Sequence, residues 1–269
     1  MTKHGQRKQL KRIAAPIVFP VPRKVGGKFV IKPAPGPHPA NMCIPLGIII
    51  RDVLRYARTL REVKKILSKR VIKIDGRVIT DYKFPVGLMD VIEITKTGEF
   101  YRVLPFRRRL VLHRITPEEA KIKIVRIIGK RYVKGANIQL NLEDGRNILF
   151  KVSSDEERRK ILDTYFVGDS LVITVPEQKI VKHIRFKEGI YGIITAGRHM
   201  GVHGSVVEIR KIIAMGARAS TARIKTPTGE EFLTALDYVL PIGEKTPEIT
   251  LPTEKEVEEI MRKRWPFPE

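Results

Sequence analysis

No acidic residue precedes Asp52, and the fifty-one positions ahead of it hold ten lysines and arginines. Nothing in that stretch can neutralise the charge internally, so it repels itself and lowers its free energy by lying along a polyanion, where released counterions drive association. Cysteine is almost missing. Cys43 stands alone, which excludes an intramolecular disulfide and a cysteine-built zinc ribbon or finger. With no assignable base, and beside an apolar helix start, Cys43 is expected to be a small buried hydrophobe and not a nucleophile. Long apolar runs are absent too: the longest, Ile44 to Ile50, is seven residues, far short of the roughly 20 that cross a bilayer as a helix. No signal-peptide pattern opens the chain, and the cytosol is the expected compartment. Aromatics make up 7% with one tryptophan, so base stacking is a poor candidate for the main binding mode.

What is present is positive charge: 52 Lys and Arg against 29 Asp and Glu leave a formal net charge of +23. Such an excess speaks to partners and not to fold, and nucleic acid is the first hypothesis. A membrane-binding protein of this charge would need an amphipathic helix with aromatic anchors, which the sequence lacks. The 269 residues suggest roughly two domains, and 42% apolar residues suffice for real cores.

Residues 1–40 carry seven prolines and four glycines among the basic residues. Their apolar side chains are too scattered to make a face, which predicts an extended basic arm that orders on its partner. Over 41–95, Leu46, Ile49, Ile50, Val53, Leu54 and Ala57 recur at helical spacing and predict a helix from Pro45 onward. Thr59 and Glu62 form a capping box that starts a second helix, burying Leu60, Val63, Ile66 and Leu67. Strand-like segments around the turn Asp75-Gly76, then Val91 to Ile94, complete an ααββ module. Residues 96–177 read as mostly β, with strands at 100–104, 109–115, 121–128, 138–142, 147–151 and 171–175 and a short helix at 155–162. Glycine-punctuated short strands over 178–243 suggest a small barrel. Residues 244–269 form a tail whose helix, after Pro252, is capped by Thr253 and Glu256. The fold class is α+β and multidomain.

The usual phosphate-loop, dinucleotide, metalloprotease and hydrolase motifs are all missing, so no catalytic constellation assembles and neither cofactor nor metal is expected. His199 and His203 are four apart, but Gly197, Gly201 and Gly204 around them argue against a metal-binding helix and for a polar, phosphate-facing loop. The helical charges are harder to assign to a plain solvated face. Arg51, Arg55, Arg58, Arg61, Lys64, Lys65 and Lys69 have only Asp52 and Glu62 among them, where a solvated face alternates signs. These seven, the arm cations Lys3, Arg7, Lys8, Lys11, Arg12, Arg23 and Lys24, and the run Arg107, Arg108 and Arg109 are the expected RNA-binding residues. Backbone and shape recognition of folded RNA suits them better than base readout.

Several segments, in order, resemble one family. Gln9-Leu-Lys-Arg-Ile-Ala-Ala-Pro16, Gly36-Pro-His-Pro39, Pro45-Leu46, the stretch TLREVKKIL from Thr59, Ile74-Asp-Gly-Arg77, Phe84-Pro-Val-Gly-Leu-Met-Asp-Val91 and His113-Arg-Ile-Thr-Pro-Glu-Glu-Ala-Lys121 are similar to the S4e family of archaeal and eukaryotic small-subunit ribosomal proteins. The likeness runs from near residue 5 to about 245, and it makes 41–95 an S4-like RNA-binding domain. Gly192 to Ile209 resembles a KOW motif, which marks 178–243 as a KOW-containing barrel and adds Arg198 and His199 to the RNA-binding set. Ala196 stands where that motif commonly has a glycine before Gly197. The resemblance implies a structural constituent of the small ribosomal subunit, partnered by its RNA and neighbouring ribosomal proteins. It implies no catalysis, no membrane and no small-molecule substrate. Two other classes carry similar modules: RNA-modifying enzymes with an S4-like domain, and KOW-bearing transcription or assembly factors.

Overall fold

Among the described residues, alternating apolar and polar residues build three five-stranded antiparallel sheets, and the helices there are few and short. The computed structural model describes residues 9–24, 27–135, 137–152, 154–210 and 220–252. Lys3, Arg7 and Lys8 and the helix expected after Pro252 lie outside the described residues.

In the arm, β1 (Leu10–Lys11) pairs antiparallel with β2 (Phe29–Val30). Between them Ala15, Val18, Phe19 and Val21 are buried in the same cluster as Ile48, Ile50 and Leu67 of the helical module. This corrects the expectation that the arm's apolar residues must wait for a partner. Singly spaced anchors need only slots in a surface already built, not a face of their own. Arg12 braces the excursion by donating to the carbonyls of Gly27 at 2.8 Å and Pro22 at 3.1 Å, and Arg23 donates to that of Ala15 at 3.0 Å.

β3 (Cys43–Pro45) leads into α1 (Leu46–Ile48), which continues as a single π turn over Ile49–Val53 and stops. The helix expected to reach Ala57 is therefore shorter, and Arg55 sits beyond its end at φ 58°. Every residue from Leu46 to Ile50 is buried, so this segment is enclosed on all sides and its apolar pattern carries no stop signal. α2 (Leu60–Ser68) begins where the capping residues place it. Thr59 Oγ1 accepts from the Glu62 N–H at 3.3 Å, and the Glu62 carboxylate accepts from the Arg58 N–H at 2.8 Å.

The first sheet has the order β5-β4-β7-β8-β9, with β4 (Ile72–Ile74), β5 (Arg77–Val78), β7 (Val91–Ile94), β8 (Glu99–Phe106) and β9 (Arg109–Ile115). A short β6 (Pro85–Gly87) pairs with β3. The sheet runs across positions 95–96, the expected limit between the ααββ module and the mostly β stretch. The second sheet, β12-β11-β10-β13-β14, is built on the long β10 (Ile122–Val133), with β11 (Asn137–Leu142), β12 (Asn147–Phe150), β13 (Ser170–Thr174) and β14 (Ile180–Ile184). Between β12 and β13 lies α3 (Asp155–Thr164), capped by Ser154. The third, β18-β17-β16-β15-β19, comprises β15 (Tyr191–Ile194), β16 (His203–Arg210), β17 (Thr221–Lys225), β18 (Glu231–Ala235) and β19 (Val239–Gly243). All three sheets feed one cluster, through Leu104, Ile124 with Val172, and Ile193 with Leu240. Their relative placement is thus set by packing. Among the described residues no helix is long and apolar enough to cross a membrane.

Candidate nucleic-acid interface

The spacing of α2 that buries Val63 and Leu67 turns Arg61, Lys64 and Lys65 outward, one and three or four residues apart on its solvent side. Arg55, Arg58 and Lys69 are exposed at its flanks. Arg51 differs: it is half-buried and its guanidinium meets the neighbouring Asp52 carboxylate at 2.8 Å, so its charge is largely matched. One further cation joins the face. The ammonium groups of Lys64 and Lys83 lie 5.0 and 5.6 Å from the centre of the Tyr82 ring, a contact with no sequence signal because Tyr82-Lys83 sits in a loop. In the arm, Lys11, Arg23 and Lys24 are exposed and Arg12 is half-buried in its carbonyl contacts.

Two segments read separately in the sequence come together. The β8–β9 turn consists of Arg107 and Arg108 at φ 40° and 65°, a left-handed pair that glycine and asparagine adopt far more readily. Holding arginines there costs about 1–3 kcal/mol each, the kind of strain that marks functional positions. The Arg107 guanidinium lies 5.3 Å from the Phe106 ring centre; Arg107 and Arg108 are exposed and Arg109 is half-buried. Against this hairpin rests the 195–202 loop. A Cβ on Gly201, which has φ 96°, would stand 2.6 Å from Phe106 Cα, so the two backbones touch. The positive φ values of the loop fall on Gly197 and Gly201 and not on Ala196, and alanine is therefore unstrained there. Arg198 is exposed, the His199 ring packs against Phe232 at a tilt of 47° with centroids 4.8 Å apart, and His203 Nδ1 lies 2.8 Å from the Tyr191 hydroxyl. The two histidines thus belong to separate pairs. A groove of about 410 Å³ runs between hairpin and loop, floored by Phe106, Met200 and Phe232.

Behind these surfaces lies a buried ion network that sequence reasoning missed. Lys123 on β10 is 1% exposed, and its ammonium donates to Asp90 at 2.6 Å and Asp75 at 2.7 Å, with Asp144 3.2 Å away. Arg146 donates to Asp75 at 2.6 Å and pairs with Asp144 at 3.1 Å, and His38 Nε2 lies 3.0 Å from Asp90. Gly87 makes room for the His38 ring, since a Cβ there would stand 2.1 Å from its Cγ. Arm, helical module and central sheet therefore meet at one cation. Burial opposes the charge on Lys123, but Asp90, Asp75 and Asp144 outweigh it and hold the ammonium above its ordinary range. Burial likewise opposes charge on Asp90, and Lys123 followed by His38 outweighs it, holding that carboxyl below the usual range. Asp75, facing Asp90 across the same ammonium, is pushed up by burial. Nearby Cys43 is fully buried and, through burial first and Asp90 second, its thiol is pushed up to about 12. It is inert, as its setting predicts.

Comparison with known proteins gives a consistent result. Residues 97–180 match the sequence model described as ribosomal family S4e, residues 4–41 match the RS4NT (NUC023) domain and residues 52–92 the S4 domain. The chain is 47% identical over 253 residues to the small ribosomal subunit protein eS4 of Staphylothermus marinus, covering 94% of this chain and 98% of that one. To the protein of the same name from Methanopyrus kandleri it is 40% identical over 260 residues, covering 94% and 98%. Its fold is similar to the crystal structure of the 30S ribosomal protein S4e from Thermoplasma acidophilum, with a TM-score of 0.59, 34% identity, and coverage of 74% of this chain and 94% of that one.

Proposed function

The chain belongs to the ribosomal family S4e, and from that membership we propose that it is a structural constituent of the small ribosomal subunit that binds and stabilises ribosomal RNA. The observation that carries the RNA contact is the charge of one sign around α2: Arg55, Arg58, Arg61, Lys64, Lys65 and Lys69 are exposed together over a folded apolar stripe. Such a face gains by displacing counterions from phosphates and is too short of aromatics to rely on bases. We assign the arm cations Lys3, Arg7, Lys8, Lys11, Arg12, Arg23 and Lys24, the hairpin Arg107 to Arg109, and the loop residues Arg198 and His199 to the same RNA. In this reading the 195–202 loop is the KOW element of a small barrel over 178–243. The domain limits at 40, 95, 177 and 243 describe functional modules laid over continuous sheets. Neighbouring ribosomal proteins complete the set of partners, the cytoplasmic ribosome is the site of action, and no step is catalytic.

Stoichiometric co-sedimentation with small subunits after a high-salt wash tests this reading. A structural constituent stays with the particle at one copy per subunit. A modifying enzyme or a transcription or assembly factor washes off mature subunits, and that outcome would contradict it.

A further inference from the structure

One groove belongs to none of the surfaces above. It lies between the second and third sheets, encloses about 890 Å³, and is lined by Arg126, Lys130, Arg185, Phe166, Val167 and Ile128, among others. Its apolar lining faces outward: Phe166 is 39% exposed, Val167 59% and Ile128 54%. Ile128 is there because β10 carries a bulge against β11 between Ile127 and Gly129, which throws the extra residue out of register into solvent. Phe166 lies under two cations, with the Arg185 guanidinium 4.6 Å and the Lys130 ammonium 5.1 Å from its ring centre.

The arrangement is rigidly held. Asp169, 1% exposed, accepts from the Phe166 N–H at 2.9 Å and the Phe186 N–H at 2.8 Å, and lies 2.8 Å from His183 Nε2. One carboxylate thus ties the loop bearing Phe166 to the strand end bearing Arg185. On the other side the Gly168 N–H donates to Ile127 O at 2.9 Å and the Ile127 N–H to Asp169 O at 2.8 Å, fixing that loop to the bulge. The Lys130 ammonium is positioned by the carbonyls of Leu162 at 2.8 Å and Tyr165 at 2.6 Å, which orient the charge without cancelling it. The lining sets Arg126, Lys130 and Arg185 against Asp169 and Asp237, and Arg126 is paired with Glu143 at 3.0 Å, so the charge the groove offers is that of Lys130 and Arg185 over the Phe166 ring, a preorganised aromatic–guanidinium platform with an apolar floor.

Positive charge favours a polyanion, but duplex RNA offers only phosphates and hydroxyls, which gain nothing from Phe166, Val167 and Ile128. An unpaired nucleotide offers both a phosphate and a flat apolar face that stacks on an aromatic ring or a guanidinium plane. We propose that this groove binds an unpaired nucleotide of the RNA, a contact distinct from the phosphate-tracking face of α2. The proposal rests on the RNA-binding reading given above.

The test uses the full chain with a single-stranded ribonucleotide of about ten residues carrying one 2-aminopurine, and the same strand annealed to its complement. Wild type should bind the single strand with quenching of the 2-aminopurine. Phe166→Ala and Arg185→Ala should each weaken single-strand binding about 5-fold to 100-fold while leaving duplex binding unchanged. Arg185→Lys, which keeps the charge but not the plane, should retain the salt dependence and lose quenching, with an unaltered melting temperature to show that the fold is intact. Unchanged single-strand affinity in both alanine variants overturns the proposal. So does an equal loss on duplex, which reports charge alone, or a loss of binding to ribosomal proteins with RNA binding intact. Wild type that binds neither RNA brings down the RNA-binding reading itself, whereas wild-type binding indifferent to these substitutions brings down only this site.

Discussion

The Lys123 ammonium stands 2.6 Å from a carboxylate oxygen of Asp90, both side chains nearly inaccessible to solvent. The contact joins β10 of the second sheet to the turn that precedes β7 of the first. A buried pair is no proof of net stabilisation, since replacing it with well-fitting apolar groups is often neutral. Removing one partner is another matter, because the charge left behind is buried and uncompensated.

Lys123→Met should therefore destabilise the chain by about 3–5 kcal/mol, since Asp75 and Asp144 would be left with Arg146 and Asp90 with His38. Urea unfolding followed by circular dichroism measures this. A loss below about 1 kcal/mol, the value of an exposed pair, would show that water reaches the network.

The same network sets the pH response. Lys123 is raised in the folded state, so its contribution is complete below the unfolded lysine value of about 10.4 and fades as pH climbs beyond it. Asp90 is depressed, so its contribution is present above about 3.9 and disappears as pH falls further. Asp75 has the opposite sign because burial raises its carboxyl, which leaves Asp90 to carry the acid loss. Thermal melts across pH should show a plateau between these limits, and Asp90→Asn should shrink the acid-side drop. An acid limb of the same size in Asp90→Asn would contradict the assignment.

Phe19 is 3% exposed in the core shared with the helical module, so Phe19→Ala should cost about 3 kcal/mol in the free protein, without any RNA. Limited proteolysis of free protein should cut the arm of this variant faster than that of wild type. Equal and rapid cutting in both would return the arm to a partner-ordered segment.

Gly201→Ala should both strain the backbone, at φ 96°, and drive a Cβ into the Phe106 backbone, at a cost of about 2 kcal/mol or more. Gly189→Ala is the control, with φ 84° but open space around the new Cβ; it should cost about 1 kcal/mol. RNA affinity should fall in the first variant and not in the second, because only the first separates hairpin from loop. Equal affinities would show that their contact is incidental.

Legibility followed the reach of the signal. Arg109–Ile115 was readable to the residue because the alternation of buried Leu110 and Leu112 with half-buried Arg109, Val111 and His113 is local. α2 was readable because Thr59 and Glu62 are three apart. The end of the first helix was not, since Leu46 to Ile50 are enclosed all round and the pattern continues past the chain's departure at Arg55. The boundary between 95 and 96 falls inside a hairpin, because only the pairing of Val91 with Arg102 and Ile94 with Glu99 shows that the strands on either side belong to one sheet. In the candidate interface the exposed cations of α2 were legible as a charge run. Arg51 was not separable from them, because its match with Asp52 is a matter of rotamer. The Lys123 network had no signal: its partners lie 33 and 48 residues away, and Asp75 was fully explained as half of an Asp-Gly turn.

The central claim, that the exposed cations around α2 track RNA phosphates, is tested most directly by the salt dependence of ribosomal RNA binding. If arm and face together neutralise about eight phosphates, log K against log salt should have a slope of about −6 to −7. Arg55→Glu, Arg61→Glu and Lys65→Glu combined should flatten it by about three contacts' worth or more with little change in melting temperature, while Arg51→Gln combined with Asp52→Asn, which removes a matched pair and leaves the charge of the face unchanged, should barely move it. A triple variant with unchanged affinity and slope would mean that this face is only solvated and that the RNA is held elsewhere.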